Sequence, residues 1–225
     1  MEASRQRGEP QRRLPGTPSV DSLPAMRGFR TIPVIVLAAA TAGCSSSSSN
    51  MTSEMLKPSA GRIYVCHGFD CRRKTKLDQT EADGLRFASI MAAGKASPEA
   101  ERAAVSNAVQ YFEDRAAAAI GVRDKPKSDL TQSGLMGQMD CIDESSNTRL
   151  LLLHLEARGL IRHHKVEGNV SRGAFVDGRY PHSTAVLRDP QGKRWAIDSW
   201  YEPAGGPPDI MPLEAWQKRG VLGER

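Results

Sequence analysis

Cys141, His182 and Asp198 bring a thiol, an imidazole and a carboxylate into one stretch of chain, separated by 41 and 16 residues. Together they can supply a nucleophile, a base and an orienter. A cysteine acts through its thiolate. An adjacent imidazole can take the thiol proton, and a carboxylate that accepts from the imidazole fixes its tautomer and stabilises its charged form. That chemistry attacks an amide carbonyl and forms a thioester. The competing reading of Cys141 is a small residue filling a gap beneath a helix; position alone leaves both open.

The elements that must hold these residues are legible around them. Residues 140–158 are expected to form a helix, with Asp143 and Glu144 in its first turn suiting the positive end of the helix dipole, Leu150 to Leu153 and Leu155 buried, and Gly159 closing it. Cys141 then lies at the helix N-terminus, where the partial positive charge favours thiolate. Strands are expected at 161–167, 183–188 and 193–200. Asp189-Pro190-Gln191-Gly192 suits a type I turn followed by a left-handed glycine, which places Asp189 opposite Lys193. In that register His182 faces Trp200, and Asp198 becomes its diagonal neighbour on the same face. A two-residue turn would instead put them on opposite faces.

Upstream, 62–66 reads as a short strand and 80–94 as helical. Ser97-Pro98-Glu99 starts a further helix that runs to Gly121, with Val105, Ala108, Val109, Phe112, Ala116, Ala119 and Ile120 along one buried stripe. Residues 122–137 read as loop, and so does the basic run Arg72, Arg73, Lys74 and Lys76. Helices first and strands later indicate an α+β domain with an antiparallel sheet.

Residues 135–202 resemble the transglutaminase-like superfamily, a branch of the papain-like fold, and in particular its bacterial cysteine peptidases. The resemblance rests on Gly-Gln-Met-Asp-Cys141-Ile-Asp-Glu, Leu-Glu-Ala-Arg-Gly-Leu-Ile, Pro-His182-Ser-Thr-Ala-Val-Leu and Trp-Ala-Ile-Asp198-Ser-Trp. It implies a papain-like core with the nucleophile helix packed on an antiparallel sheet. It also implies Cys141 as nucleophile, His182 as general base and acid, and Asp198 as orienter. The oxyanion hole would use the Cys141 backbone N–H, with the Gln138 side chain as a second donor; a solvent-facing Gln138 is the alternative. The stretch from Tyr201 to Trp216 extends past the family core, either lining a cleft or covering the sheet edge. The resulting expectation is a thiol-dependent amide hydrolase or acyl transferase. The alternative is a non-catalytic protein that keeps the fold to bind peptides or partner proteins.

The other cysteines point to export. Basic residues at 26–30, an apolar run at 32–42 and small residues ending at Cys44 follow the layout of a signal peptide, and resemble a lipoprotein lipobox with Cys44 as the lipidated residue. Residues 1–25 read as a disordered tail or an upstream start, 45–60 as a flexible tether, and 61–225 as the folded domain. A periplasmic, lipid-anchored protein of the bacterial envelope is the consequence. In that oxidising setting Cys66 and Cys71 are expected to form a local disulfide, with a metal site of Cys66, His67 and Cys71 as the competitor. His154, His163 and His164 have no metal-ligand spacing, and no cofactor is expected. Trp195, Trp200 and Trp216 read as core or cleft wall.

Six of the 31 basic and three of the 26 acidic residues fall in 1–44, so the remainder carries only about +2. That argues against a nucleic-acid binder. The expected substrates are peptides, envelope proteins or peptidoglycan crosslinks.

Overall fold

Two long helices and a five-stranded antiparallel sheet carry the architecture of the computed structural model, which describes residues 51–57, 59, 61–174 and 176–220. The expected signal peptide, Cys44 and the tail 1–25 lie outside the described residues. The described elements comprise four α-helices and two antiparallel sheets, an α+β arrangement.

The chain opens with a hairpin of β1 (Arg62–His67) and β2 (Arg73–Asp78). β2 corrects the reading of the basic run as loop. Its side chains alternate across the strand, with Leu77 buried on one face and Lys74, Lys76 and Asp78 exposed on the other, a face that needs no apolar pattern. Helix α1 (Glu81–Ala92) starts at a reciprocal cap between Thr80 and Asp83. Helix α2 (Pro98–Ile120) starts at Ser97, whose hydroxyl accepts from Ala100 N, and ends at Gly121 with φ 81°. Its stripe from Ala104 to Ala116 packs into the main core with Leu151, Leu152 and Leu155 of α3 (Cys141–Ala157). Met55, in the stretch expected as tether, is also buried in that core.

The larger sheet pairs β3 (Lys165–Val166) and β4 (Val170–Arg172) with one side of β5 (His182–Arg188), and then continues to β6 (Arg194–Asp198) and β7 (Asp209–Pro212). The strand expected at 161–167 shrinks to two residues for a specific reason. The buried Glu101 carboxylate accepts from the backbone N–H groups of Arg162, His163 and His164, so these donors cannot join a ladder.

The β5–β6 register is the expected one: Arg188 opposite Arg194, Leu187 opposite Trp195, and Asp189 N donating to Lys193 O. Gly192 takes φ 83°, and the Asp189 side chain accepts from the N–H groups of Gln191 and Lys193 and from the Trp195 indole.

Alternation gives the sheet two different faces. Ala185, Leu187 and Ile197 face the main core and α3, whereas Val186 and Ala196 pack with Leu213 and Trp216 of α4 (Leu213–Lys218). The C-terminal extension thus covers the β6 edge with β7 and the second face with α4.

Candidate active site

Asp140 caps α3 and places Cys141 at its first helical position. The Asp140 carboxylate accepts from Ile142 N (3.1 Å) and Asp143 N (2.9 Å). Cys141 is therefore held at the positive end of a 17-residue helix. The residue is 2% exposed and packs with Trp200 and Tyr201, with Ile142 and Tyr180 alongside. Tyr180 stacks on Trp200 with ring centroids 5.6 Å apart. The nucleophile candidate thus lies under an aromatic cover.

His182 and Asp198 share the parity of Val186 and Ala196, the face covered by α4. His182 Nε2 donates to Asp198 Oδ2 at 2.8 Å, and both side chains are almost wholly buried (1% and 2% exposed). The buried carboxylate accepts from Nε2, so the other ring nitrogen is the basic one. His182 Nδ1 is buried without a hydrogen-bond partner. The imidazole is thereby poised to accept a proton at Nδ1. Its ring lies 4.5 Å from Trp200 and 5.9 Å from Tyr201, the two aromatics that also pack against Cys141. Cys141 and the His182–Asp198 pair thus pack against the same two rings.

Asp198 has two further donors, Trp216 Nε1 to Oδ2 (2.7 Å) and Trp200 N to Oδ1 (3.3 Å). Burial alone would push its carboxyl up. The charge and hydrogen bond of His182, with the Trp216 and Trp200 donors, hold it below the usual carboxylate range instead. Expected as core or cleft wall, Trp216 is buried and makes a polar contact that nothing local in the sequence signals, since nothing nearby ties residue 216 to residue 198.

The loop between the disulfide cysteines docks on the N-terminus of α3. Cys66 and Cys71 are joined, and Gly68, Phe69, Asp70 and Cys71 all take left-handed φ values of 82°, 68°, 52° and 51°. Phe69 N and Cys71 N each donate to Asp143 at 2.7 Å, and Asp70 N donates to Asp140 Oδ2. Asn147 exchanges two hydrogen bonds with the Cys66 backbone. The sulfurs lie close to Asp143 but are consumed by the disulfide. His67 turns elsewhere, accepting from Gly137 N at Nδ1 and meeting the Thr75 hydroxyl at Nε2, so the Cys66–His67–Cys71 metal arrangement is not formed. Gln138 is buried rather than solvent-facing; its backbone carbonyl accepts from Gly68 N, and its side-chain Oε1 has no partner.

Asp143 and Glu144, the acids of the first turn expected to suit the helix dipole, are both buried. Burial, together with the neighbouring Asp140 charge, pushes the Asp143 carboxyl up to about 8. Glu144 lines a cavity of about 20 Å³ with Glu113 and Asp124, walled by Phe112, Ala116 and Met139. Burial pushes Glu113 to about 8 and Asp124 to about 7; Glu144 is driven well above its usual value by burial and by Asp124, Glu113 and Asp198. All four carboxyls are thus shifted toward their neutral forms, which reduces the negative charge near the N-terminus of α3. The sequence carried one signal of this: acids inside an otherwise buried helix, with no lysine or arginine within a turn on the same side.

No known family model, curated protein or solved structure matches this chain.

Proposed function

We propose that this chain is an exported thiol enzyme of the transglutaminase-like, papain-like kind, lipid-anchored through Cys44, that hydrolyses amide bonds in peptides, envelope proteins or peptidoglycan. Acyl transfer to an amine is the variant outcome of the same intermediate. The reading is carried by one observation: a buried His182–Asp198 pair whose second imidazole nitrogen is unpartnered, beside aromatics that also pack on a cysteine at a helix N-terminus.

In this mechanism His182 Nδ1 takes the Cys141 proton, and the sulfur adds to the substrate carbonyl carbon. The Cys141 backbone N–H and, as second donor, the Gln138 side-chain amide donate to the developing oxyanion. Collapse breaks the C–N bond, and the amine leaves with the imidazolium proton. Water, deprotonated by His182, then cleaves the thioester and restores the thiol. Tyr180 and Trp200 must move aside for substrate to reach the sulfur.

The 2% exposure of Cys141 favours a second reading, in which the fold is kept as a binding module with an inert thiol. Alkylation separates the two. Iodoacetamide labelling of Cys141, followed by peptide mass over a pH series, is expected to proceed well below pH 8 and to lose that low-pH component in His182→Ala. A profile centred near the ordinary thiol pKa of about 8.5, unchanged by the substitution, would establish the binding module instead.

A further inference from the structure

We infer that Trp216 is a positioning residue of this site: its indole N–H and that of His182 converge on the same oxygen of Asp198, so the C-terminal helix completes the machinery. The inference rests on the Cys141–His182–Asp198 reading and assigns that site a fourth member.

The geometry is specific. Asp198 Oδ2 accepts from His182 Nε2 at 2.8 Å and from Trp216 Nε1 at 2.7 Å, while Oδ1 faces the Trp200 backbone N–H at 3.3 Å. A carboxylate with donors on both oxygens cannot rotate without breaking one of them. Asp198 lies on a strand, but its orientation is set from α4, 18 residues further along the chain.

Trp216 is itself clamped. It is fully buried, with its ring 5.6 Å from the His182 ring. The Arg172 guanidinium lies over the indole, 4.1 Å from the ring centroid. Arg172 also donates to the Trp216 carbonyl and to the Tyr201 hydroxyl (3.1 Å), which ties the indole to the aromatic cover of Cys141. Packing alone would be met by a phenyl ring; the N–H aimed at Asp198 would not.

The consequence concerns charge as well as orientation. A donor to a carboxylate stabilises its ionised form. Without the indole N–H, Asp198 takes up a proton at a higher pH, and a neutral Asp198 no longer supports the imidazolium that balances a Cys141 thiolate. The acid limb of thiolate reactivity should move to higher pH, whereas a general loss of packing would lower stability without moving that limb.

The test compares wild type, Trp216→Phe and Trp195→Phe in the full chain. Trp195 also donates its indole N–H to a carboxylate, Asp189, but on the hairpin away from the site, so it controls for loss of such a bond. Two quantities are read: the pH dependence of Cys141 alkylation, and the His182 Nε2–H resonance by nitrogen-edited NMR. For Trp216→Phe the acid limb is expected to rise by about one pH unit, which is about a tenfold slower labelling at a fixed acidic pH. The Nε2–H signal should weaken or exchange faster. Trp195→Phe should match wild type in both. Superimposable Trp216→Phe and wild-type profiles, with the Nε2–H signal unchanged, would overturn the inference while leaving the thiol-enzyme reading intact. If wild-type labelling itself ignores His182, that reading fails separately, and the Nε2–H signal alone decides whether Trp216 holds Asp198. Should Trp216→Phe fail to fold, Arg172→Met, which unclamps the ring but leaves the indole, is expected to weaken the same signal; no change there would overturn the inference too.

Discussion

Raising the pH from 6.5 to 8.5 should unload protons from a buried set of acids and destabilise the fold. Glu113, Asp124 and Glu144 surround one small cavity, and Asp143 lies nearby on the face of α3 that receives the disulfide loop. Burial raises all four, with Asp124 near 7 and Glu113 and Asp143 near 8. Their folded pKa values exceed their unfolded ones, so the folded state binds more protons between about pH 4 and 8. The stabilisation is fully present below the unfolded pKa and is lost as pH climbs through the folded one. A single group at about 8 forfeits about 2 kcal/mol over this window, and one at about 7 just under 1 kcal/mol. Because the groups repel one another, the net loss should be about 3–5 kcal/mol rather than their full total. His67 and His154 are lowered by burial and work in the opposite sense, but only below their ordinary value of 6.5, outside the window. The assay is urea unfolding at half-unit pH steps. Glu144→Gln supplies the internal control, since an amide can still donate to Asp124 without titrating. It should match wild type near pH 6.5 and be more stable at pH 8.5 by about 1–3 kcal/mol. Flat wild-type stability across the window, or a Glu144→Gln curve parallel to it, would refute the reasoning.

Two further outcomes follow from local geometry. Gly173 takes φ 75°, and a Cβ there would sit 2.7 Å from the Tyr180 carbonyl oxygen; Gly173→Ala should lower the melting temperature by several degrees, at a cost of about 1–3 kcal/mol. The same shift should loosen Tyr180 from Trp200, so Cys141 should alkylate faster; an unchanged melt and labelling rate would contradict this. Glu101 is buried, accepts from three consecutive backbone N–H groups and pairs with His164 at 2.9 Å. Glu101→Ala leaves these donors stranded and should cost about 3–5 kcal/mol by thermal or urea melts, and a loss under about 1 kcal/mol would show the loop finds other acceptors.

What was readable in the chain followed locality. Ser97-Pro98 and Gly121 bracket α2 because cap chemistry acts within a turn. The Asp189–Gly192 turn set the register of β5 and β6, and with it the shared face of His182 and Asp198. Features set by distant residues were not readable. The 162–164 segment left the ladder because of Glu101, 61 residues away. The basic hairpin strand β2 gave no apolar alternation. The donors that hold Asp198 and the loop that docks on Asp143 join residues from opposite ends of the domain.

The left-handed run from Gly68 to Cys71 bears on how the chain acquires its disulfide. Left-handed backbone costs a non-glycine residue about 1–2 kcal/mol, and Phe69, Asp70 and Cys71 all adopt it. Before α3 exists, only on the order of one chain in a thousand would hold that turn. Asp140 and Asp143 can receive its N–H groups only once the helix N-terminus has formed. Native oxidation is therefore expected to follow docking of the loop, at a stage when Cys141 is already packed beneath Trp200 and Tyr201 and withdrawn from thiol exchange. The Asp143 side chain would then act as a proofreader of cysteine pairing. Asp143→Ala should raise the share of refolded chains in which Cys141 is cross-linked to Cys66 or Cys71, read by non-reducing peptide mapping; an unaltered share would mean that pairing is decided before the helix forms.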